Sequence, residues 1–143
     1  LTRMILRRAT DDDVAGLTSV LEAAYAPFQA LGLPPVTEGI ADDIRDNNVW
    51  VAEVGGKVQG GIVLVLGSRA HIANLAVHPD AGGHGIGKAL IDMASEASVA
   101  AGHRQVHLAT HAKMTATQAF YRKLGWQETG REGDKVYFQK KLN

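Results

Sequence analysis

The residues from Leu75 to Leu90 constrain this chain more than any other stretch. An apolar run, Leu75-Ala76-Val77, stops at His78-Pro79. Four glycines follow within six residues, at Gly82, Gly83, Gly85 and Gly87, and a helical pattern begins at Ile86. The order is strand, glycine loop, helix N-terminus. Glycine turns with positive φ and lets the backbone come close to a ligand. A helix N-terminus offers unpaired N–H groups and a partial positive charge to an anion. Such a loop suits a phosphate or pyrophosphate. Two familiar phosphate loops fit poorly. Gly82 to Gly87-Lys88 has the Walker A spacing, but Ala89 stands where a Ser or Thr would hold Mg²⁺. No register gives a G-x-G-x-x-G fingerprint, because Lys88 and Leu90 fall where glycines are needed. A glycine-rich connection with no ligand also satisfies the pattern.

Composition narrows the classes. The chain has 143 residues, enough for one domain with a real core. Lys plus Arg and Asp plus Glu are 15 each, so no basic excess points to nucleic acid and no acidic tail is present. Without Cys there is no disulfide framework, thiolate metal site or Cys nucleophile, and a cytoplasmic location is the simplest reading. The first residues read as too short and too charged for a signal peptide. No stretch approaches the ~20 apolar residues of a membrane helix.

Taken in order, residues 4–8 read as a first strand. Thr10 and Asp13 form an Asp variant of the capping box, and the acidic run reads as a solvated helix start. Val14, Leu17, Val20, Leu21 and Ala24 recur at helical spacing, and Pro27 should end or bend that helix. Tyr25, Phe28, Leu31 and Leu33 are too apolar for a plain linker. They cap the core or wall an acceptor pocket. A second short helix is expected at about 37–45. Strands at 49–54 and 57–66 flank Gly55-Gly56, a two-residue hairpin turn. Gly60-Gly61 marks a bulge or a close backbone approach. Residues 71–77 form the next strand. After the glycine loop, a helix closes at Gly102. Residues 105–110 form a fifth strand, parallel to the one before the helix. A last helix runs from Thr115 to Gly125, and strands at 126–129 and 135–140 close the chain around residues 130–134. The class is α+β, a mixed sheet with helices.

This order, with the glycine loop in the middle, resembles the GNAT superfamily of N-acyltransferases over essentially the whole chain. Val-x-Pro, the glycine loop and Gly85-Ile86-Gly87 look like the family's motif A. Ala119-Phe120-Tyr121-Arg122-Lys123-Leu124-Gly125-Trp126 looks like its motif B, with Trp126 where Phe is usual. The resemblance implies a single domain over residues 1–143. It also implies a central, mostly antiparallel sheet, helices on both faces, and a parallel strand pair at the cofactor cleft. Its activity would be acetyl transfer from acetyl-coenzyme A to a primary amine of a small molecule or peptide, by direct attack and without metal. Homodimers are common in the family. The alternatives are a non-catalytic acyl-coenzyme A sensor on the same fold and a degenerate P-loop nucleotide binder.

Site residues follow from the resemblance. Gly82, Gly83, His84, Gly85, Ile86, Gly87 and Lys88 would hold the pyrophosphate through backbone N–H groups. Leu75, Ala76 and Val77 would pair with the pantetheine arm, and Phe120 and Tyr121 would lie beside the cofactor. Two departures stand out: Gly82 replaces the usual Gln or Arg, and Met114 replaces a motif B Asn. Tyr121 would protonate the departing thiolate. The family often carries a base about four residues before Leu75, where His71 stands with an ordinary pKa near ~6.5. Alternation would place His71, Ala73, Leu75 and Val77 on one face and Asn74 on the other. His111 is the second candidate and unaided water the third. Tyr25 and Phe28 are candidate acceptor contacts. No histidine pair has chelating spacing: His107 and His111 lie about 13 Å apart on a strand. No catalytic metal is expected.

Overall fold

The computed structural model describes residues 3–30, 32 and 39–143. The expectations for Leu31, Leu33 and the start of the second helix at Thr37 lie outside these residues. The elements are β1 (Met4–Arg8), α1 (Val14–Gln29), α2 (Ile40–Asp46), β2 (Asn48–Val54), β3 (Lys57–Leu66), β4 (Ala70–Val77), α3 (Ile86–Ala100), β5 (Gln105–His111), α4 (Thr115–Lys123), β6 (Gln127–Glu132) and β7 (Lys135–Lys141). They build one seven-stranded sheet in the order β1-β2-β3-β4-β5-β7-β6. Every neighbouring pair is antiparallel except β4 and β5, which the α3 crossover makes parallel. This is the expected mixed α/β sheet.

Pleating divides the core into two layers. In β2, Val49 and Val51 face α1 and α2, packing with Leu17, Leu21 and Ile40. Trp50 and Ala52 face the other way, toward Ile86, Leu90 and Phe138. The hairpin between β2 and β3 turns on Gly55 and Gly56, both left-handed at φ 61° and 78°. Gly60 and Gly61 seat a helix on each face of β3. A Cβ on Gly60 would lie 2.7 Å from Ile86 Cγ2, and one on Gly61 would lie 2.4 Å from Leu17 Cδ1. The β3 bulge falls just before them, where pairing steps from Glu53↔Val58 to Ala52↔Gly60.

Three local readings are corrected. Pro27 does not end the helix at its own position: it lies inside α1, which continues to Gln29. The closing hairpin turns on Gly133-Asp134 alone, because β6 runs on to Glu132 with a bulge at Thr129. Asp13 is buried, not solvated. Its carboxylate accepts from both Arg7 Nη atoms at 2.8 Å and from the Thr10 N–H at 2.8 Å. Arg7 also donates to Glu53 at 3.0 Å, tying β1, the helix start and β2 together.

Bonding to Arg7 holds the Asp13 carboxyl below its ordinary pKa, against the opposing effect of burial. Below the ordinary value the unfolded chain takes up a proton that the folded chain refuses. The stabilisation is therefore complete above about pH 4 and is lost as pH falls through the folded-state value. Asp13→Asn should destabilise the protein by about 2 kcal/mol at pH 7 in urea denaturation, with the gap to wild type closing below about pH 4. A gap independent of pH would contradict this role.

Candidate functional site

The site begins with one extra residue in β4. Pairing with β3 runs through Val63↔Asn74 and then jumps to Leu64↔Ile72, leaving Ala73 as a bulge. A bulge bends its strand and resets the alternation of side chains beyond it. Parallel pairing with β5 stops at the same place, after Ala70↔Val106, His71↔His107 and Ile72↔Leu108. From there β4 and β5 part. Between them lies a cleft of about 760 Å³, lined by residues 73–77 on one side and 108–111 on the other. On its β5 side, β4 beyond Ile72 pairs with no further strand among the described residues.

The bulge overturns the expected faces of β4. Leu75 and Val77 pack with Ile72 on the α3 side, and Ala76 joins the α1-side core. His71 therefore does not share a face with Leu75. It is exposed beside His107 and does not line the cleft. Asn74 does line it.

The glycine loop closes one end of the cleft. His78 Nδ1 accepts the Asp80 N–H at 3.1 Å, and Pro79–Ala81 form a 3-10 turn that ends the strand. Gly83 and Gly85 are left-handed at φ 82° and 76°, with Gly85 as the N-cap of α3. No side chain caps that helix. Its N-cap makes no side-chain cap bond to the first-turn N–H groups, and the residues carrying them border the cleft. Gly82, Gly83, Gly85, Ile86, Gly87 and Lys88 all line it, while His84 does not. Lys88 reaches Asp92 at 2.9 Å. Gly87 admits Phe120: a Cβ there would lie 3.2 Å from the ring's Cζ.

Motif B fixes the tyrosine. The Gly125 N–H bonds Arg122 O at 3.0 Å and the Trp126 N–H bonds Tyr121 O at 3.0 Å, with Gly125 at φ 90°. This is a Schellman motif, and its usual apolar contact is the Trp126 ring against Tyr121, 5.5 Å between centroids. Phe120 and Phe138 pack on the same ring at 5.4 and 6.1 Å. Burial, aided by the Tyr25 phenol, pushes the Tyr121 hydroxyl well above its ordinary pKa. It stays protonated throughout the neutral range.

Tyr25 and Phe28, from the end of α1, wall the cleft from the other face. The Tyr25 hydroxyl donates toward Leu75 O and Asn74 Oδ1, each at 3.2 Å. Burial raises its pKa as well. At the far end stand His111, Asp134 and Lys135. His111 Nδ1 accepts the Lys113 N–H at 3.0 Å, so the neutral ring carries its proton on Nε2, which lies 3.8 Å from Asp134 Oδ2. Among the described residues no group of three or more His, Cys, Asp or Glu could hold a metal ion.

Sequence reasoning missed Asn74, Asp134 and Gln118. Buried Gln118 donates to the carbonyls of His111 and Ala112 at 3.1 Å, locking the end of β5 to α4. Only Asn74 left a trace, as a polar residue within an apolar strand. Met114, at the departed Asn position, accepts through sulfur from Thr110 at 3.6 Å.

Solved structures share this architecture. The PaiA N-acetyltransferase of Thermoplasma acidophilum, in complex with coenzyme A, superposes with a TM-score of 0.88 at 19% identity, covering 98% of this chain and 99% of that one. An acetyltransferase of the GNAT family from Staphylococcus aureus gives 0.86 at 16% identity, covering 99% and 100%. The ribosomal-protein-S18-alanine N-acetyltransferase of Escherichia coli gives 0.81 at 20% identity, covering 99% and 95%. At these identities the likeness is one of fold. No curated protein sequence matches the chain. A family model does: the acetyltransferase (GNAT) domain matches residues 45–128, more than half the chain and including both the glycine loop and the Tyr121 helix. The chain belongs to the GNAT acetyltransferase family.

Proposed function

We propose that this protein transfers an acetyl group from acetyl-coenzyme A to a primary amine of a small molecule or peptide. The parting of β4 from β5 after Ile72↔Leu108 carries the reading. It leaves a strand edge that leads to the uncapped N-terminus of α3. That combination suits a ligand with a peptide-like arm and a pyrophosphate. Leu75, Ala76 and Val77 would pair with the arm, and the N–H groups from Gly82 to Lys88 would hold the pyrophosphate, with Phe120 alongside. His84 would take part through its backbone alone. The Thermoplasma acidophilum relative solved with coenzyme A supports the same choice.

Direct attack is the simplest chemistry. The chain has no Cys, and no Ser lines the cleft among the described residues. The amine lone pair adds to the thioester carbon, and the C–S bond then breaks with its electron pair on sulfur. Tyr121, kept protonated by burial, gives that sulfur a proton. The nitrogen loses its proton to water, and the Tyr121 phenolate takes one back from water to close the cycle. His71 lies off the cleft, and the lone pair of the neutral His111 ring is already taken by Lys113. Neither ring offers a free base to the acceptor.

Three outcomes follow. Coenzyme A should raise the melting temperature without added metal, equivalent to about 2.7 kcal/mol at a hundred times Kd. Gly85→Val, which forces a β-branched residue into φ 76°, should abolish the rise. Stabilisation by ATP with Mg²⁺ and not by coenzyme A would assign the loop to a nucleotide instead.

Tyr121→Phe should lower kcat by about a hundredfold while keeping the thermal shift. Unchanged turnover would leave Tyr121 a packing role only.

The pH profile of kcat/KM should rise toward the acceptor's own pKa near ~10.4 and should survive His71→Ala and His111→Ala. An additional inflection in the profile that either variant erases would put that histidine in the base role.

A further inference from the structure

At the start of the paired β4–β5 segment, away from the cleft, positive groups gather without a negative partner. Arg69 precedes β4, and its guanidinium stands 2.6 Å from His107 Nδ1 on β5. A guanidinium can only donate, so Nδ1 accepts and the neutral ring carries its hydrogen on Nε2. Pairing of His71 with His107 brings a second ring beside the first. Burial, then the charges of Arg69 and His71, hold the His107 ring below its ordinary pKa. Arg7, Arg45, Arg122 and Arg131 each hold a carboxylate. Among the described residues Arg69 and Arg104 hold none. A hollow of about 170 Å³ lies here, far smaller than the cleft. Ser68, Arg69, His103, Arg104, Gln105 and His107 line it, and no Asp or Glu does. Each of these side chains carries an N–H or O–H donor.

We propose that this hollow binds the phosphate group of a small phosphate monoester, between Arg69 on one side and Arg104 and His107 on the other. The site goes beyond the acyl-transfer reading and does not depend on it. Like charges held together repel, and a bound anion relieves that repulsion. A guanidinium meets phosphate oxygens as a two-pronged fork. The His107 Nε2–H and the Ser68 hydroxyl suit the remaining oxygens. A carboxylate offers two oxygens in one plane and a single charge. A phosphate monoester offers three oxygens and about two charges at neutral pH. The donors come from three segments: the β3–β4 turn, the connection from α3 to β5, and β5 itself. A group whose oxygens point several ways fits them better than a flat one.

The backbone beneath these side chains is fixed. Ala70↔Val106 and His71↔His107 lock the two strands together. The Gly67 N–H bonds Arg69 O at 3.1 Å, and the Leu142 N–H bonds Arg104 O at 2.8 Å. Both arginines are exposed, so their side chains remain open to a ligand from solvent. The place is distinct from the glycine loop. Arg69 stands before the first residue of β4 and the loop follows its last, Val77, about 25 Å further along an extended strand.

The test is an NMR titration of methyl phosphate into the protein, with inorganic phosphate and acetate in parallel at matched ionic strength. Methyl phosphate should shift the amides of Ser68, Arg69, Gln105 and His107 saturably. Acetate should bind there at least about tenfold more weakly. Arg69→Gln and Arg104→Gln should each weaken methyl phosphate about tenfold. Lys57→Gln removes an exposed cation at the far β2–β3 hairpin and should change nothing. Shifts confined to residues 82–88, equal binding of acetate, or equal weakening by Lys57→Gln would overturn the site. Binding of inorganic phosphate without methyl phosphate would make the ligand the free ion and overturn the ester assignment. The wild-type pattern decides the matter even if a variant folds poorly. None of these outcomes involves coenzyme A, so the acyl-transfer reading stands or falls separately.

Discussion

The bulge at Ala73 governs this molecule. Parallel pairing of β4 with β5 ends one residue before it, and the sheet opens into a wedge. An opened sheet takes backbone donors and acceptors out of the ladder, and such groups turn to side chains, water or a ligand; Leu75 O accepts from Tyr25. The fold keeps that loss to one edge. β4 stays paired with β3 as far as Gly60↔Val77, and β5 stays paired with β7 from Gln105↔Lys141 to His111↔Lys135. Each half is clamped by its own packing. Leu17 of α1 and Ile86 of α3 sit directly on the glycine backbone of β3, while Tyr121, Trp126 and Phe138 interlock over β5 and β7. The wedge is a stable gap between two well-packed halves.

The polar groups around that gap are unevenly supplied. At the α3 end donors are in excess: an uncapped helix start and a loop that turns twice through left-handed glycine. At the other wall the Tyr25 hydroxyl donates toward Leu75 O and Asn74 Oδ1. A helix start of that kind suits an anion. Tyr121, buried and protonated, stands on the α4 wall of the same cleft. The donors at the α3 end are what the proposed acyl donor, with its phosphate tail, would require. The chain's net charge of zero plays no part in this, since the selectivity resides in local groups.

Residues with a local conformational demand were legible in the sequence. Gly55-Gly56 marked a hairpin, Gly102 and Gly125 marked helix ends, and Gly60-Gly61 marked close approach, because each reports a backbone state that side chains disfavour. Motif B was legible for the same reason: Gly125 and Trp126 complete the helix end that positions Tyr121. Features that depend on pairing between distant strands left little trace. Ala73 is an unremarkable residue type, so its bulge was hidden, and strict alternation misplaced His71 and Asn74. Asp13 looked like a solvated helix start because its partner Arg7 lies across the β1 turn. The tautomer of His111 is set by the Lys113 N–H, a contact that no spacing rule contains.

The central claim is that the free edge of β4 and the N-terminus of α3 act together as one binding surface. Amide hydrogen exchange followed by NMR, with and without coenzyme A, measures this residue by residue. The account predicts added protection in two stretches at once, residues 73–77 and residues 82–88. Protection confined to the glycine loop, or absent from both stretches, would contradict it.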